Sequence, residues 1–229
     1  MEIGLKLRQA MLLNGTLFNS EALHDISETE IKILESVDEH LLRSLVGGHS
    51  KTPLEFLYLE AGAIPLRFIL SSRRMIYLQT ILKRHYNELT KRVYMSQKKS
   101  PTKGDFFNMV KKDFETIGEV FDESEISAKS KDLHKSNIKS KTMKAAFMYL
   151  KEKQSSHTKV WEIIYNKLET QRYMTSPLFS NAEVSLLFSL RSKYLDCKMN
   201  FKNRYSNDDL LCNLCKEEQD DQHAAHTAM

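Results

Sequence analysis

The sequence predicts an all-α protein with many helices in two helical subdomains. Only 7 Gly and 4 Pro occur in 229 residues, which argues against a sheet joined by many tight turns. Apolar residues recur at spacings of three and four along most of the chain, and capping residues precede several of these runs. We expect roughly eight to ten helices. They divide into residues 1–121 and 141–200, joined by a mobile Lys- and Ser-rich connection at 122–140 and followed by a polar tail at 201–229.

The N-terminal elements are defined by their ends. Residues 5–24 indicate one short helix or a pair, with a break at Asn14 and Gly15. Ser27 followed by Glu30 is a capping box, in which the two side chains satisfy free amides at a helix start. The apolar positions then continue at helical spacing until Gly47, because glycine readily adopts the left-handed conformation that ends a helix.

The longest apolar region, residues 52–84, contains two helix starts. Thr52 is expected to cap a helix that begins at Pro53, with Glu55 completing a capping box. Gly62 suits the left-handed end of that helix, and a second helix is expected over 65–84. The apolar positions of the second helix fall near one face, which we expect to be core: Leu66, Leu70, Tyr77 and Ile81, with Ile69 and Ile76 beside them.

Two adjacent arginines interrupt this apolar pattern. At least one of Arg73 and Arg74 must lie beside apolar surface, and its charge then needs a carboxylate or a phosphate as partner. Glu55 or Glu60 would supply the carboxylate, and a nucleic acid would supply the phosphate. The sequence leaves both alternatives open.

The middle of the chain continues the helical pattern. A short helix is expected at 86–97, and Asp105 is the expected N-cap of an amphipathic helix. From Asp122 the composition becomes rich in Ser and Lys, which is typical of a mobile connection or an exposed helix. Within it three lysines at a spacing of four would line one helical edge: Lys131, Lys135 and Lys139.

The C-terminal half repeats the pattern with three further helices. They are expected over 142–153, from Trp161 through Leu168, and after a cap at Ser180. The last of these is strongly apolar and is expected to form the buried centre of this half.

The net charge of +4 conceals two strongly basic blocks. Residues 67–103 carry 10 basic and 1 acidic side chains, and residues 129–159 carry 9 and 2. If the blocks share a face, they form the electrostatic footprint of a phosphate-backbone binder. A lysine face that is merely solvated is the alternative. The expected phosphate contacts are Arg67, Arg73, Arg74, Lys83, Arg84, Lys91, Arg92, Lys131, Lys135 and Lys139.

Several classes of protein lack support in the sequence. No signal peptide and no apolar run of about 18 residues is evident, so we expect an intracellular protein, cytoplasmic or nuclear, without a membrane partner. A phosphate-binding glycine loop, HExxH and a nucleophile elbow are all missing. Asp208 and Asp209 lie in a polar setting unlike the paired metal-binding aspartates of polymerases. We therefore expect no small-molecule substrate.

One group of residues has metal-ligand spacing. Cys212 and Cys215 are separated by two residues, as in the tight turns that bind one side of a zinc ion. His223 or His226 would supply a third ligand, so the sequence predicts at most a weak, incomplete zinc site.

Residues 54–82, LEFLYLEAGAIPLRFILSSRRMIYLQTIL, together with LFSLRSKYLDCKMNF and CNLC near the C-terminus, carry a resemblance to a known family. The chain resembles the region downstream of the catalytic palm in non-LTR retrotransposon reverse transcriptases. The resemblance implies a helical, thumb-like subdomain and connection that grip template and primer, followed by a zinc knuckle. Cys212 and Cys215 match its first two ligands and His223 the third, whereas Thr227 stands near the place of the fourth.

The resemblance also implies what the chain does. Without a palm or an endonuclease, we expect a non-catalytic fragment that binds RNA or DNA without sequence preference, with zinc as the only cofactor to consider. One alternative is a helical adaptor that binds other proteins. The other is a mobile-element remnant with no selected function.

Overall fold

The computed structural model describes residues 2–22, 26–156 and 163–193. In these ranges the chain forms ten α-helices and no strand, which confirms the all-α prediction. The expected ligands Cys212, Cys215 and His223 lie outside the described residues, as do Trp161, Asp208 and Asp209.

The helices follow one another along the chain in a simple order. They are α1 Glu2–Leu7, α2 Glu28–Val46, α3 Leu54–Ala61, α4 Leu66–Lys83, α5 Leu89–Lys99, α6 Phe106–Thr116, α7 Glu123–Ala128, α8 Lys131–Gln154, α9 Arg172–Thr175 and α10 Asn181–Arg191. A π-helical segment, Arg8–Thr16, and a 3₁₀ turn, Ser20–Ala22, lie between α1 and α2. No helix in the described ranges has both the length and the apolar character needed to cross a membrane.

Local capping explains several helix ends. The Ser27 hydroxyl accepts from the Glu30 amide at 3.2 Å, and the Glu30 carboxylate accepts from the Ser27 amide at 2.8 Å, as the capping box requires. Asp105 accepts from the Asn108 amide at 2.8 Å. Gly62 has φ 61° and ψ 28°, and a Cβ there would lie 2.1 Å from the Thr170 amide nitrogen. These caps confirm the helix starts expected at Ser27 and Asp105 and the end expected at Gly62. The break expected at Asn14 and Gly15 is wrong, because the π-helical segment includes both residues.

The predicted cap at Thr52 is wrong. Helix α3 begins at Leu54, and Pro53 takes the N-cap position with φ −56° and ψ 137°. The Thr52 amide instead donates to the His49 carbonyl at 3.0 Å, and its carbonyl accepts from Arg43 at 2.6 Å. Because the helix starts one residue later than expected, the Thr52 hydroxyl has no amide within reach and stays buried without a hydrogen bond.

The helix expected from Trp161 through Leu168 is also wrong where the chain is described. Residues 163–171 are irregular, and only Arg172–Thr175 forms a helical turn. The backbone is held instead by an isolated antiparallel bridge between Ala61 and Thr170 and by a 3.0 Å bond from the Gln171 amide to the Glu60 carbonyl. Tyr165 and Leu168 are buried, although they belong to this irregular segment rather than to a helix.

Contacts within the chain define two compact units. Unit 1 comprises residues 1–5, 39–63 and 150–229, and unit 2 comprises 6–38 and 64–149. This division differs from the expected one at 122–140, because that stretch forms α7 and the first part of α8. Asp122 caps α7, and no Gly or Pro interrupts the 24 residues of α8.

Each unit has its own core. In unit 1, Phe56 of α3 packs against Phe188 of α10 with ring centroids 5.2 Å apart. In unit 2, α4 contacts α5, α6 and α7. The core of unit 2 consists of buried side chains from these helices and from α8: Met75, Leu78, Ile81, Tyr94, Phe106, Val110, Phe114, Ile126 and Ile138.

Candidate nucleic-acid interface

Arg74 forms a buried ion pair inside unit 2. Its Nε and Nη2 atoms donate to the two carboxylate oxygens of Asp113 at 2.7 and 2.8 Å. The two side chains are only 5% and 7% exposed. One of the two adjacent arginines is therefore paired with a carboxylate. That carboxylate belongs to Asp113 rather than to Glu55 or Glu60. Since its guanidinium is enclosed, Arg74 does not belong to a phosphate-binding surface.

Arg73 is bound to backbone oxygens. Its guanidinium donates to the Leu13 carbonyl at 2.6 Å, to the Leu17 carbonyl, and to the Ser20 hydroxyl at 3.3 Å. These acceptors lie at the end of the π-helical segment and just after it, where carbonyls lack helical partners. Arg73 thus fixes this part of the chain against α4.

Arg67 is held by acidic residues of α2. It donates to both carboxylate oxygens of Glu35 at 2.8 and 2.7 Å, and Glu28 lies 3.7 Å away. The hydrogen bonds to Glu35 raise the pKa of Arg67 above its ordinary value. Its guanidinium also lies over the Tyr149 ring, 5.8 Å from the centroid. Arg67 is therefore committed to contacts within unit 2.

The remaining basic residues of the first block are distributed around α4 and α5. Lys83 donates to the Lys129 carbonyl at 2.7 Å, and Lys91 to the Leu82 carbonyl at 2.9 Å. Arg84 pairs with Glu88 one turn away at 2.8 Å, in an exposed contact of small energy. For Arg92, on the exposed side of α5, no hydrogen bond or ion pair is found within the described ranges.

Three lysines of α8 differ from most of these residues because they are exposed and have no partner among the described residues. Lys131, Lys135 and Lys139 are exposed on one edge of the helix, about 6 Å apart along its axis. None of the three forms a hydrogen bond or ion pair with another described residue. Like charges at this spacing repel each other, so the row is a site where a bound anion would be stabilising. We call these three residues the lysine row.

The lysine row borders a cavity of about 730 Å³ in unit 2. Arg73 also lines this cavity, whereas the other expected phosphate contacts do not. Its apolar wall includes Ile69 and Ile76, the two positions that the sequence placed beside the core face. Of the ten expected residues, the fold thus brings four to one site.

Polar side chains that the sequence did not single out complete the cavity. Thr142 is 2% exposed, and its hydroxyl has no hydrogen-bond partner among the described residues. Glu21, Gln9 and Asn14 also line the cavity, and the last two are joined by a 3.3 Å hydrogen bond. These residues come from the π-helical segment, the 3₁₀ turn and α8. No local sequence signal could have placed them together.

The net positive charge of the chain comes from unit 2. Its segments carry 21 of the 34 Lys and Arg residues and 15 of the 30 Asp and Glu residues, a formal net charge of +6. The segments of unit 1 are net negative. Unit 2 is therefore the part of the chain that a polyanion would approach.

Unit 1 contains a buried carboxylate of a different kind. Glu60 is 0% exposed and accepts hydrogen bonds from the Tyr165 hydroxyl, from the Tyr173 hydroxyl at 2.5 Å and from Arg191 Nη2 at 2.7 Å. Burial, together with the nearby carboxylate charge, raises the pKa of both tyrosines. Because three donors occupy the carboxylate, we interpret this cluster as structural.

Comparison with protein families, curated proteins and solved structures finds no match to this chain. Within the described ranges, no group of three or more His, Cys, Asp or Glu side chains could hold a metal ion. The zinc site at Cys212, Cys215 and His223 lies outside those ranges and stays a prediction.

Proposed function

We propose that unit 2 binds the sugar–phosphate backbone of RNA or DNA without sequence preference. The observation that carries the proposal is the lysine row, three exposed ammonium groups in register on α8 without acidic partners among the described residues. Lysine binds phosphate as a point charge and imposes little geometry, which suits contacts to a uniform backbone. The net charge of +6 on unit 2 would draw a polyanion towards it.

The contacts inside unit 2 reduce the number of residues that can bind phosphate. Arg67, Arg73 and Arg74 are engaged by protein oxygens, so we assign phosphate contacts to the lysine row and leave Arg84 and Arg92 as outlying charges. Three neutralised phosphates predict that log affinity falls against log salt with a slope of roughly −2 to −3. The resemblance to the post-palm region of reverse transcriptases agrees with such a role, in which a helical segment retains a template without contributing catalytic groups.

The test compares two triple variants of equal charge change by fluorescence anisotropy with labelled RNA and DNA. One variant, Lys131→Gln/Lys135→Gln/Lys139→Gln, removes the row. The other, Lys103→Gln/Lys111→Gln/Lys112→Gln, removes three exposed lysines of unit 2 that do not line the cavity. We expect the first to lose at least tenfold in affinity and most of the salt slope, and the second to lose much less.

Two outcomes would reject the proposal. Equal losses in both variants would mean that net charge alone attracts nucleic acid, with no defined site. No binding of the unaltered protein at low salt would favour the alternative of a helical adaptor for other proteins.

The absence of polymerase activity also stays a prediction. Primer extension with Mg²⁺ or Mn²⁺, beside the variant Asp208→Ala/Asp209→Ala, would check it.

A further inference from the structure

We propose that the cavity beside the lysine row accepts one base of a single-stranded nucleic acid whose phosphates lie along the row. This inference rests on the proposed backbone binding and adds to it the form of nucleic acid that is bound. It starts from Thr142, a residue that lines the cavity and whose buried hydroxyl has no partner among the described residues. Buried hydroxyls in proteins are normally hydrogen-bonded, so this one indicates a ligand that brings its own polar groups.

The cavity has room for a base, and its wall suits one. Its volume of about 730 Å³ lies within the usual range of ligand pockets. Ile69 and Ile76 supply apolar surface, and Tyr77 adds an aromatic ring to the wall. That ring is fixed by an edge-on contact with Phe106, with centroids 6.1 Å apart. Aromatic side chains bind bases of any sequence, since every base has a π-face.

The charges around the cavity favour a base over a small polyanion. Glu21 lines the same cavity as the lysine row. A free polyphosphate filling the space would meet this carboxylate at close range. A strand avoids that conflict, because its phosphates remain at the lysines while a neutral base enters. An exocyclic amine of the base can donate to Glu21. The base edge can also bond to the Thr142 hydroxyl, which both donates and accepts, once that side chain turns towards the cavity.

This geometry predicts a preference for single strands. Bases in a duplex are paired and stacked, so one of them must be flipped out before it can enter a pocket. Bases in a single strand are available without that step. We therefore expect single-stranded oligonucleotides to bind more tightly than duplexes of equal phosphate number.

The experiment measures anisotropy with three labelled ligands: a sixteen-nucleotide adenine strand, a strand of the same length whose sugars all lack bases, and an eight-base-pair G·C duplex with about the same number of phosphates. The two single strands carry the same phosphates, so their difference reports on the bases alone. We expect the adenine strand to bind roughly tenfold more tightly than the abasic strand, the size of one base–aromatic contact. The unaltered full chain is used throughout.

A pair of matched substitutions assigns the effect to the cavity. Thr142→Val removes the unpartnered hydroxyl at nearly constant shape, and Thr90→Val removes another buried, unpartnered hydroxyl that does not line the cavity. Neither change should lower thermal stability, because neither breaks a hydrogen bond within the described chain. We expect Thr142→Val to reduce the advantage of the adenine strand several-fold without affecting abasic binding, and Thr90→Val to change neither.

The outcomes separate this inference from the proposed function. Equal binding of adenine and abasic strands, or an advantage that Thr142→Val leaves intact, overturns base insertion while backbone binding by the lysine row stands. A duplex that binds as tightly as the adenine strand overturns it as well. Failure of all three ligands to bind overturns both.

Discussion

Replacing the buried Arg74 and Asp113 pair tests whether Arg74 is structural. The change is Arg74→Met and Asp113→Leu, made singly and together. Met matches the arginine side chain as far as Nε, Leu has the branched shape of Asp, and neither replacement carries a charge. Since α4 and α6 contact each other in unit 2, the double variant leaves an apolar contact between the same two helices.

The burial and the hydrogen bonds of the pair set the expected changes in the free energy of unfolding. Both side chains are less than one tenth exposed, and two short hydrogen bonds join them. A single replacement leaves the other charge buried without its partner, which costs about 3–5 kcal/mol. Domains are typically stable by about 5–15 kcal/mol, so each single variant should lose between about a fifth of that stability and all of it. The double variant leaves no uncompensated charge and should lie within about 1 kcal/mol of the unaltered protein, or above it.

Urea unfolding followed by far-UV circular dichroism gives the free energies of unfolding, and the four proteins together form a double-mutant cycle. Anisotropy with labelled single strands is then measured on the folded double variant. We expect its affinity and salt slope to equal those of the unaltered protein, because Arg74 touches no phosphate.

Two results would refute this reasoning. If Arg74→Met alone lowers the free energy of unfolding by less than about 1 kcal/mol, Asp113 is not left as an unpaired buried charge, contrary to what the low exposure of the pair implies. If the double variant is stable but loses nucleic-acid affinity, Arg74 contacts the ligand after all. The second result would restore the phosphate alternative that the sequence left open.

Three other predictions concern unit 1, a buried histidine and the tail. Glu60→Gln should lower the free energy of unfolding by about 2 kcal/mol, since it removes one acceptor oxygen of a buried carboxylate that receives three hydrogen bonds, and a cost below about 0.5 kcal/mol in urea would contradict the cluster's structural role. Burial lowers the pKa of His134 below its usual 6.5, with Lys129 and Lys83 adding to the shift. The folded pKa is therefore the lower one, so stability is full above pH 6.5 and falls as the pH drops below it. His134→Gln should abolish that dependence in thermal melts, whereas the exposed His85→Gln should preserve it. Metal analysis after dialysis should find little zinc in the protein and none with Cys212→Ser, and chelator should leave the helical signal unchanged; stoichiometric zinc whose removal unfolds the chain would prove the site stronger than expected.

Local chemistry made part of the fold predictable. The caps at Ser27 and Asp105 and the left-handed Gly62 depend on residues within four positions of one another, so their signals are complete in the sequence. The same reasoning failed at Thr52, because Pro53 took the capping position and shifted the helix start by one residue. It failed again after Trp161, where contacts with residues 60 and 61 hold the chain in an irregular path.

Long-range partners were not predictable. Arg74 requires Asp113, 39 residues away, and Glu60 requires Arg191, 131 residues away. The sequence indicates that a buried charge needs a partner, but spacing alone cannot choose among many acidic residues. The spacing of the lysine row was visible because one helix contains it. The cavity and the unpartnered Thr142 hydroxyl depend on packing among α4, α8 and the N-terminal segment, which leaves no periodic signal.

The Glu60 cluster has a consequence for synthesis of the chain. Its hydroxyl and guanidinium donors are encoded 105, 113 and 131 residues after the carboxylate that they satisfy. The apolar helix α3 therefore leaves the ribosome long before the tyrosines and the arginine exist. Unit 2, by contrast, is fully translated at residue 149. A nascent chain arrested before residue 165 would contain the whole sequence of unit 2 and an uncovered α3, a ready target for chaperones or aggregation.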